Sequence, residues 1–466
     1  MISLPSLGTR RFTDADQVAF ARLSGDVNPM HLDPLQARRT QAGAPVAHGI
    51  NAALWALDTL CEAVQLPAPN RLKFRFDRFI YLNVPLEARI ARQSADRVDL
   101  EILDEGGRVA LVSLALGRMR PSIADGPDPA DPTGDQPAEM TLERMEGASG
   151  RFGFLSPDAD AAASFPSLAT RIGAPAVNGI VNLSTLVGMH CPGLHSIFSK
   201  VDIELIEDAD HSATLDWSVR RVQPLLRMVM IDVMAPGIAG GVECFVRHPP
   251  VRQPGQAELR GRIAPDGCAG ARALVVGGSR GLGEVTARLL ALAGAEVILT
   301  YASGAEDAEA VAADIRAAGG ICRILRLDIA VEALPLEQIG PGLTHVYYFA
   351  TPQIFRKSGS LLPRFMDIYV HGFHRLISGL DSSRGLHVFY PSSTAVEDPP
   401  KGMLEYATAK AAGERLCSEL TRSLPSVEIV VERLPRLLTD QTATVLPVES
   451  APVVETLLPI LARMHR

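Results

Sequence analysis

Ser24-Gly25-Asp26-Val27-Asn28-Pro29-Met30-His31-Leu32-Asp33 sets a carboxylate and an imidazole five positions apart on a turn, and the residues before it supply a helix to deliver them. Thr13 followed by Asp14-Ala15-Asp16 fits an S/T-x-x-D/E capping box, and Val18, Phe20, Ala21 and Leu23 give an apolar stripe before Gly25 ends the helix. Pro29 is expected to keep the next residues extended, so that Asp26, Asn28 and His31 converge on one small volume. An acid beside an imidazole can hold a water and take its proton. The same residues also suit an Asx turn, with Asp26 and Asn28 bonding their own backbone and His31 on the surface.

A second segment, Ala44-Pro45-Val46-Ala47-His48-Gly49-Ile50, opens into Ala52-Ala53-Leu54-Trp55-Ala56-Leu57 and Leu60. Small residues leading into a helix that is hydrophobic nearly all round predict a buried central helix whose first amide groups point outward as donors. Together the two segments resemble the MaoC-like, (R)-specific enoyl-CoA hydratase family of hotdog folds: residues 24–33 match its S-G-D-x-N-P-x-H-x-D, and His48-Gly49 its H-G helix start. The resemblance implies that His31 and Asp26 shuttle a proton and a water across C2–C3 of an acyl thioester, with Asn28 orienting them. It also implies that the Gly49 amide holds the thioester oxygen as enolate charge develops, a donor worth on the order of 3 kcal/mol.

At 466 residues, 47% hydrophobic and 21% charged, the chain has the composition of a multidomain globular protein. A net charge of −8 with few aromatics argues against a nucleic-acid surface, which needs clustered Lys and Arg. The six cysteines are scattered without pairing or ligand spacing, which suits a reducing compartment. No run of apolar residues approaches a membrane span, and the expected location is the cytoplasm, away from membranes.

Residues 1–120 continue with strand-like runs. Arg71-Leu72-Lys73-Phe74-Arg75-Phe76 alternates, and its basic face suits the phosphates of pantetheine or a nucleotide, an acidic carrier protein, or plain solvent. Runs at 86–90, 97–103 and 108–116 complete a sheet wrapped round the central helix, and residues 121–140, rich in Pro, Asp and Gly, read as a linker. Residues 141–252 look like a worn second copy, because Gly43-Ala44-Pro45-Val46-Ala47-His48-Gly49-Ile50 recurs 130 residues on as Gly173-Ala174-Pro175-Ala176-Val177-Asn178-Gly179-Ile180. That offset sends Asp26 to Ser156 and His31 to Ala161, so the copy keeps the helix start without the acid and the imidazole. The expected architecture is an α+β double hotdog, one half catalytic and the other closing the sheet and shaping the acyl pocket. His190-Cys191 with His195 lacks ligand spacing, and no metal is expected.

Beyond a second linker at 253–269, residues 270–466 alternate strand and helix. Ala271 to Val276 leads into Gly277-Gly278-Ser279-Arg280-Gly281-Leu282-Gly283, an apolar strand and a glycine turn at a helix start, the arrangement that cradles a pyrophosphate. A helix to Ala293, a strand Glu296–Thr300, a helix near Glu306–Ala318 and a strand Cys322–Leu327 ending in Asp328 follow, and Tyr406-Ala407-Thr408-Ala409-Lys410 has Ser393 thirteen residues before its tyrosine. These features resemble the short-chain dehydrogenase/reductase family, with its α/β Rossmann fold.

That resemblance implies that Tyr406 protonates a carbonyl oxygen as hydride reaches its carbon, that Ser393 hydrogen-bonds the carbonyl, and that Lys410 lowers the phenol's pKa and contacts the nicotinamide ribose. Gly277, Ser279, Arg280, Gly281, Leu282, Gly283, Tyr301, Asp328 and Ala350, with Tyr406 and Lys410, would hold the cofactor. Leu299-Thr300-Tyr301-Ala302-Ser303 offers no acid to a ribose 2′-hydroxyl whereas Arg280 suits a 2′-phosphate, so NADPH is expected over NADH. Two departures stand out: Phe349-Ala350-Thr351 replaces the family's N-A-G, and Tyr369 replaces an asparagine that orders a proton-relay water.

Joined, the two halves make a reaction pair, since a ketoreductase forms the 3-hydroxyacyl thioester that a dehydratase consumes. The expectation is NADPH reduction of a 3-oxoacyl thioester on CoA or acyl carrier protein, followed by dehydration to the trans-2-enoyl form, in a homodimer serving fatty-acid or polyketide-like chain building. Two other readings stay open: a hydratase whose Rossmann domain only binds NADP(H), and a non-catalytic scaffold in a synthase complex.

Overall fold

The computed structural model describes residues 6–121, 134–207, 213–354, 360–445 and 448–466, so most of the linker expected at 121–140 lies outside the described residues. The chain divides into two compact units, one built on Met1–Pro249 and the other on Pro250–Arg356, Ser360–Ala443 and Val448–Arg466.

In the first unit, α1 (Asp14–Ser24) opens with the capping box: Asp16 N–H donates to Thr13 Oγ1 at 3.2 Å and Thr13 N–H to Asp16 Oδ2 at 2.7 Å. Gly25 closes it in the left-handed region at φ 86°. Pro29, however, does not extend the chain. It is the first residue of a one-turn helix, α2 (Pro29–Leu32), because its fixed φ suits that position as well, and Asn28 caps the turn by accepting the Met30 N–H at 3.1 Å.

The central helix α3 (Gly49–Ala63) is enclosed as its composition predicts. Ile50, Leu54, Leu57 and Leu60 are all 0% exposed, each contributing roughly 1.5–3 kcal/mol by burial. Around it lie β1 (Ser6–Arg11), β2 (Pro69–Phe76), β3 (Pro85–Gln93), β4 (Arg97–Asp104) and β5 (Gly107–Leu116), ordered β1-β3-β4-β5-β2.

The second half repeats this pattern with β6 (Ser149–Gly153), β7 (Ser196–Leu205), β8 (Thr214–Gln223), β9 (Met228–Ala235) and β10 (Ile238–Val246) about α4 (Ala174–Thr185), which runs on into a π turn at Leu186–His190. Its strand order, β7-β10-β9-β8-β6, mirrors the first, and the two halves fuse where β2 and β7 pair antiparallel, Leu72 opposite Ile203 and Phe74 opposite Val201. The result is one ten-stranded sheet. Across this seam the basic stripe meets acids: Arg71 Nε lies 2.6 Å from Asp202 Oδ1 and Lys73 Nζ 2.9 Å from Asp202 Oδ2, while Arg75 Nε is 2.9 Å from Asp77. Asp202 across the seam and Asp77 just beyond β2 thus partner the basic face, for which phosphate, a carrier protein and plain solvent were all open.

The second unit is a parallel sheet of β11 (Arg272–Val276), β12 (Glu296–Tyr301), β13 (Ile321–Arg326), β14 (His345–Tyr348), β15 (Leu386–Ser393) and β16 (Val427–Leu434), ordered β13-β12-β11-β14-β15-β16. This doubly wound order reverses between β11 and β14, where such sheets bind ligands at their carboxyl ends. Its helices include α5 (Gly281–Leu292), α6 (Ala305–Ala317) and α7 (Leu404–Ser423). Among the described residues no single helix is long and apolar enough to cross a membrane.

Candidate functional site

The turn after α1 and the start of α3 form the first centre. Asp26 is 2% exposed; its Oδ2 accepts the Ser184 hydroxyl at 2.7 Å and its Oδ1 the Asn28 N–H at 3.1 Å. His31 Nδ1 lies 2.8 Å from Val46 O, an acceptor only, so Nδ1 carries the proton and Nε2 is the nitrogen left for chemistry. Burial pushes the Asp26 carboxyl up from the usual range, against the opposing pull of His31 and Ser184. A carboxyl so raised beside an imidazole is suited to giving and taking a proton. Gly49 is the first residue of α3, where backbone N–H groups have no intrahelical acceptor, and a Cβ there would meet the Phe76 ring at 2.9 Å.

Asn28 acts differently from expectation. Its side chain leaves the pair and donates to the carbonyls of Gly188 at 3.1 Å and Gly193 at 3.3 Å, pinning the turn to the second half, while its backbone N–H orients Asp26. The second half also supplies Ser184, and Gly188, where a Cβ would fall 2.2 Å from Asp26 Oδ1. Neither was read from the sequence. The recurring helix start was the available signal, but the offset of 130 sets Ser184 opposite Leu54, which gave no hint of a polar role. Ser156 and Ala161 form no second pair: Ser156 Oγ donates to Arg22 O at 3.2 Å and Ala161 is buried.

His48, read only as part of the helix start, belongs to the centre. Its ring stacks on that of His31 with centroids 3.9 Å apart, and the ligand atoms of Asp26, His31 and His48 lie within 4.8 Å of one another. That spacing is open to a cation, but His48 Nδ1 and Nε2 already face Gln17 Oε1 at 2.9 Å and Asp26 O at 3.2 Å. The other histidine cluster disperses, His190 stacking on Phe152 and His195 facing Glu139 at 3.3 Å.

In the second unit Gly277, at φ 75°, turns the loop so tightly that a Cβ would meet Ala350 N at 3.0 Å, and a Cβ on Gly283 would meet Gly277 O at 2.3 Å. Ser279, Arg280, Gly281 and Leu282 lie between them at the start of α5, a ready anion site. The glycine cradle therefore fits a pyrophosphate. Tyr301 ends β12 and Asp328 follows β13 along the same sheet edge, Asp328 Oδ1 accepting the Ala330 N–H at 3.0 Å. Arg280 already faces an acid, Asp440 Oδ2 at 3.5 Å, so a 2′-phosphate would compete with it.

Ser393 ends β15 and hydrogen-bonds the Tyr406 hydroxyl; burial raises that phenol's pKa and Ser393 pulls it down. Lys410 Nζ stands 5.9 Å from the centre of the Tyr406 ring. Its ammonium turns to Pro391 O at 2.7 Å and lies 4.0 Å above the Tyr369 ring, because a buried cation needs an acceptor and a π face. Burial brings Lys410 down to about 7. The two departures noted in the sequence meet here, the Tyr369 hydroxyl lying 2.6 Å from Thr351 Oγ1.

Residues 6–111 match the family model described as MaoC like domain, and residues 271–336 that described as short chain dehydrogenase. An (R)-specific enoyl-CoA hydratase of Aeromonas caviae is 30% identical over 121 residues, covering 24% of this chain and 89% of the relative. A 3-hydroxybutyryl-CoA dehydratase of Methylorubrum extorquens is 28% identical over 101 residues, 22% of this chain and 58% of that one. Among solved structures, a short chain dehydrogenase from Burkholderia cenocepacia J2315 in complex with NADP covers 42% of this chain and 91% of its own, at 25% identity and a TM-score of 0.36.

Proposed function

The chain belongs to the MaoC-like dehydratase family through its first unit, which it joins to a short-chain dehydrogenase/reductase domain, and from that premise we propose a bifunctional enzyme of acyl-thioester metabolism. Its reductase domain converts a 3-oxoacyl thioester to the (3R)-hydroxyacyl form, and its hotdog domain interconverts that product and the trans-2-enoyl thioester. The observation that carries the reading is the enclosed carboxylate of Asp26 beside His31, next to the first turn of α3.

In dehydration, His31 and Asp26 move the C2 proton and the departing water, while the Gly49 N–H steadies the thioester oxygen as negative charge collects on it. In reduction, Ser393 holds the carbonyl oxygen and Tyr406 protonates it. NADPH, when bound along the glycine loop, supplies the hydride. The acyl group rides on CoA or a carrier protein, and the enzyme works in the cytoplasm as a homodimer.

Mixing the protein with NADPH and a short 3-oxoacyl-CoA, following NADPH absorbance and weighing the products by mass tests both halves. NADPH loss with an enoyl product is the expected outcome. Asp26→Asn should stop dehydration by roughly a thousandfold with reduction intact, and Tyr406→Phe should do the reverse; equal loss of both activities in either variant refutes two independent sites. A second reading, in which the Rossmann domain binds NADP(H) without turnover, draws on Lys410 being turned to the Pro391 carbonyl. It predicts nucleotide binding without oxidation.

A further inference from the structure

His48 has no part in the proton movements above, yet it is 0% exposed and held on every side. Gln17 Oε1 accepts the His48 main-chain N–H at 3.0 Å and faces Nδ1 at 2.9 Å, and Gln17 Nε2 returns to Thr13 O at 3.3 Å, so the first turn of α1 fixes the amide's orientation. On the far side of the ring Nε2 faces Asp26 O at 3.2 Å. Phe20 lies at 5.0 Å between centroids and His31 stacks at 3.9 Å, the planes 27° apart. A neutral imidazole has one N–H for these two acceptors, and with rings packed on it as well it is a fixed wall for a neighbouring ring.

The second half of the same unit provides an internal control. Asn178 stands where the 130-residue offset puts His48, and its Nδ2 donates to Ser156 O at 3.0 Å, just as His48 Nε2 faces the carbonyl of Asp26, the counterpart of Ser156. Tying the helix start to the turn therefore needs only a small donor. The ring is present in the half that has Asp26 and His31, and absent from the half that lacks them.

We propose that His48 is a positioning residue of the dehydratase site, its ring serving as the platform that sets the plane of the His31 imidazole. The role rests on the function proposed above. The charge-bearing groups facing His48 are Asp26, with Oδ2 at 3.8 Å from Nε2, and His31; Gln17 and Phe20 of α1 and Ser184 of α4 bring none. Burial, with the neighbouring His31, holds the His48 imidazole well below its usual pKa, so the platform is neutral and its removal takes no charge from the site.

The test is hydration of trans-2-butenoyl-CoA by the full chain and by His48→Asn, the residue of its own second half, measured as kcat and KM from about pH 5 to 9 with circular dichroism at each pH. The expected result is a kcat per folded molecule lower by roughly 30-fold with a KM within about twofold and the shape of the pH profile kept. A variant with the wild-type kcat makes His48 a helix cap only and overturns the proposal. So does a kcat loss that matches the loss of folded protein read by circular dichroism, because partial unfolding lowers the rate only by lowering the number of intact sites. A wild-type chain inert toward the thioester at every pH overturns the dehydratase reading itself and this role with it.

Discussion

At Lys410 a single buried ammonium links the reductase geometry to stability. With Pro391 O at 2.7 Å as its one hydrogen-bond acceptor among the described residues and burial holding its pKa down from 10.5 to about 7, the folded chain releases this proton where the unfolded chain still binds it. Between those values the unfolded state carries more protons, so stability rises with pH from about 7 toward 10. Calorimetry should show the melting point rising from pH 7 to 9 by roughly 2–4 °C more in the wild type than in Lys410→Met; parallel curves would remove Lys410 as the source. Spacing in the sequence was enough to pick out Tyr406, Lys410 and Ser393. The direction of the lysine was not legible, since it depends on Tyr369 and Pro391 arriving from other elements.

Among the elements, the π turn at Leu186–His190 decides how closely the second half approaches the acid. Gly188 lies on it with no room for a methyl group, a Cβ there falling 2.2 Å from Asp26 Oδ1. Gly188→Ala must push the carboxylate aside, and displacement of a reacting group by an ångström is worth about 100-fold in rate. Hydration should fall by about that factor while NADPH oxidation with a 3-oxoacyl-CoA is unchanged; a variant with full hydratase activity would show that the carboxylate has slack. The recurrence at 130 residues foretold the helix that carries this turn. It could not foretell the π turn or the Ser184 contact, which joins residues 158 positions apart and has no counterpart in the first copy. Pro29 failed for a related reason, its fixed φ suiting a helix start as well as a strand, and only the Asn28 cap decides between them.

For the first unit as a whole, the β2–β7 seam makes one centre out of two unequal halves. A fragment of residues 1–140 would expose the edge of β2, and an identical copy could cover it by the same mirror symmetry. That copy would bring Leu54 where Ser184 should be. Losing one hydrogen bond to a buried carboxylate corresponds to about 10-fold or more in rate, so the paired fragment should hydrate trans-2-butenoyl-CoA at least that much more slowly than the full chain under equal loading. Equal rates would mean that the second half contributes shape alone.

Because peptide bonds join the two sides of that seam, their meeting is a matter of chain length rather than of how many molecules share the vessel. A centre assembled from separate subunits empties as the solution is thinned below their dissociation constant; here the partner's effective concentration is set once, by the polypeptide that tethers it. Specific hydratase activity therefore has no threshold dilution so long as the unit stays folded, and one chain carries one such centre where a symmetrical pair would carry two.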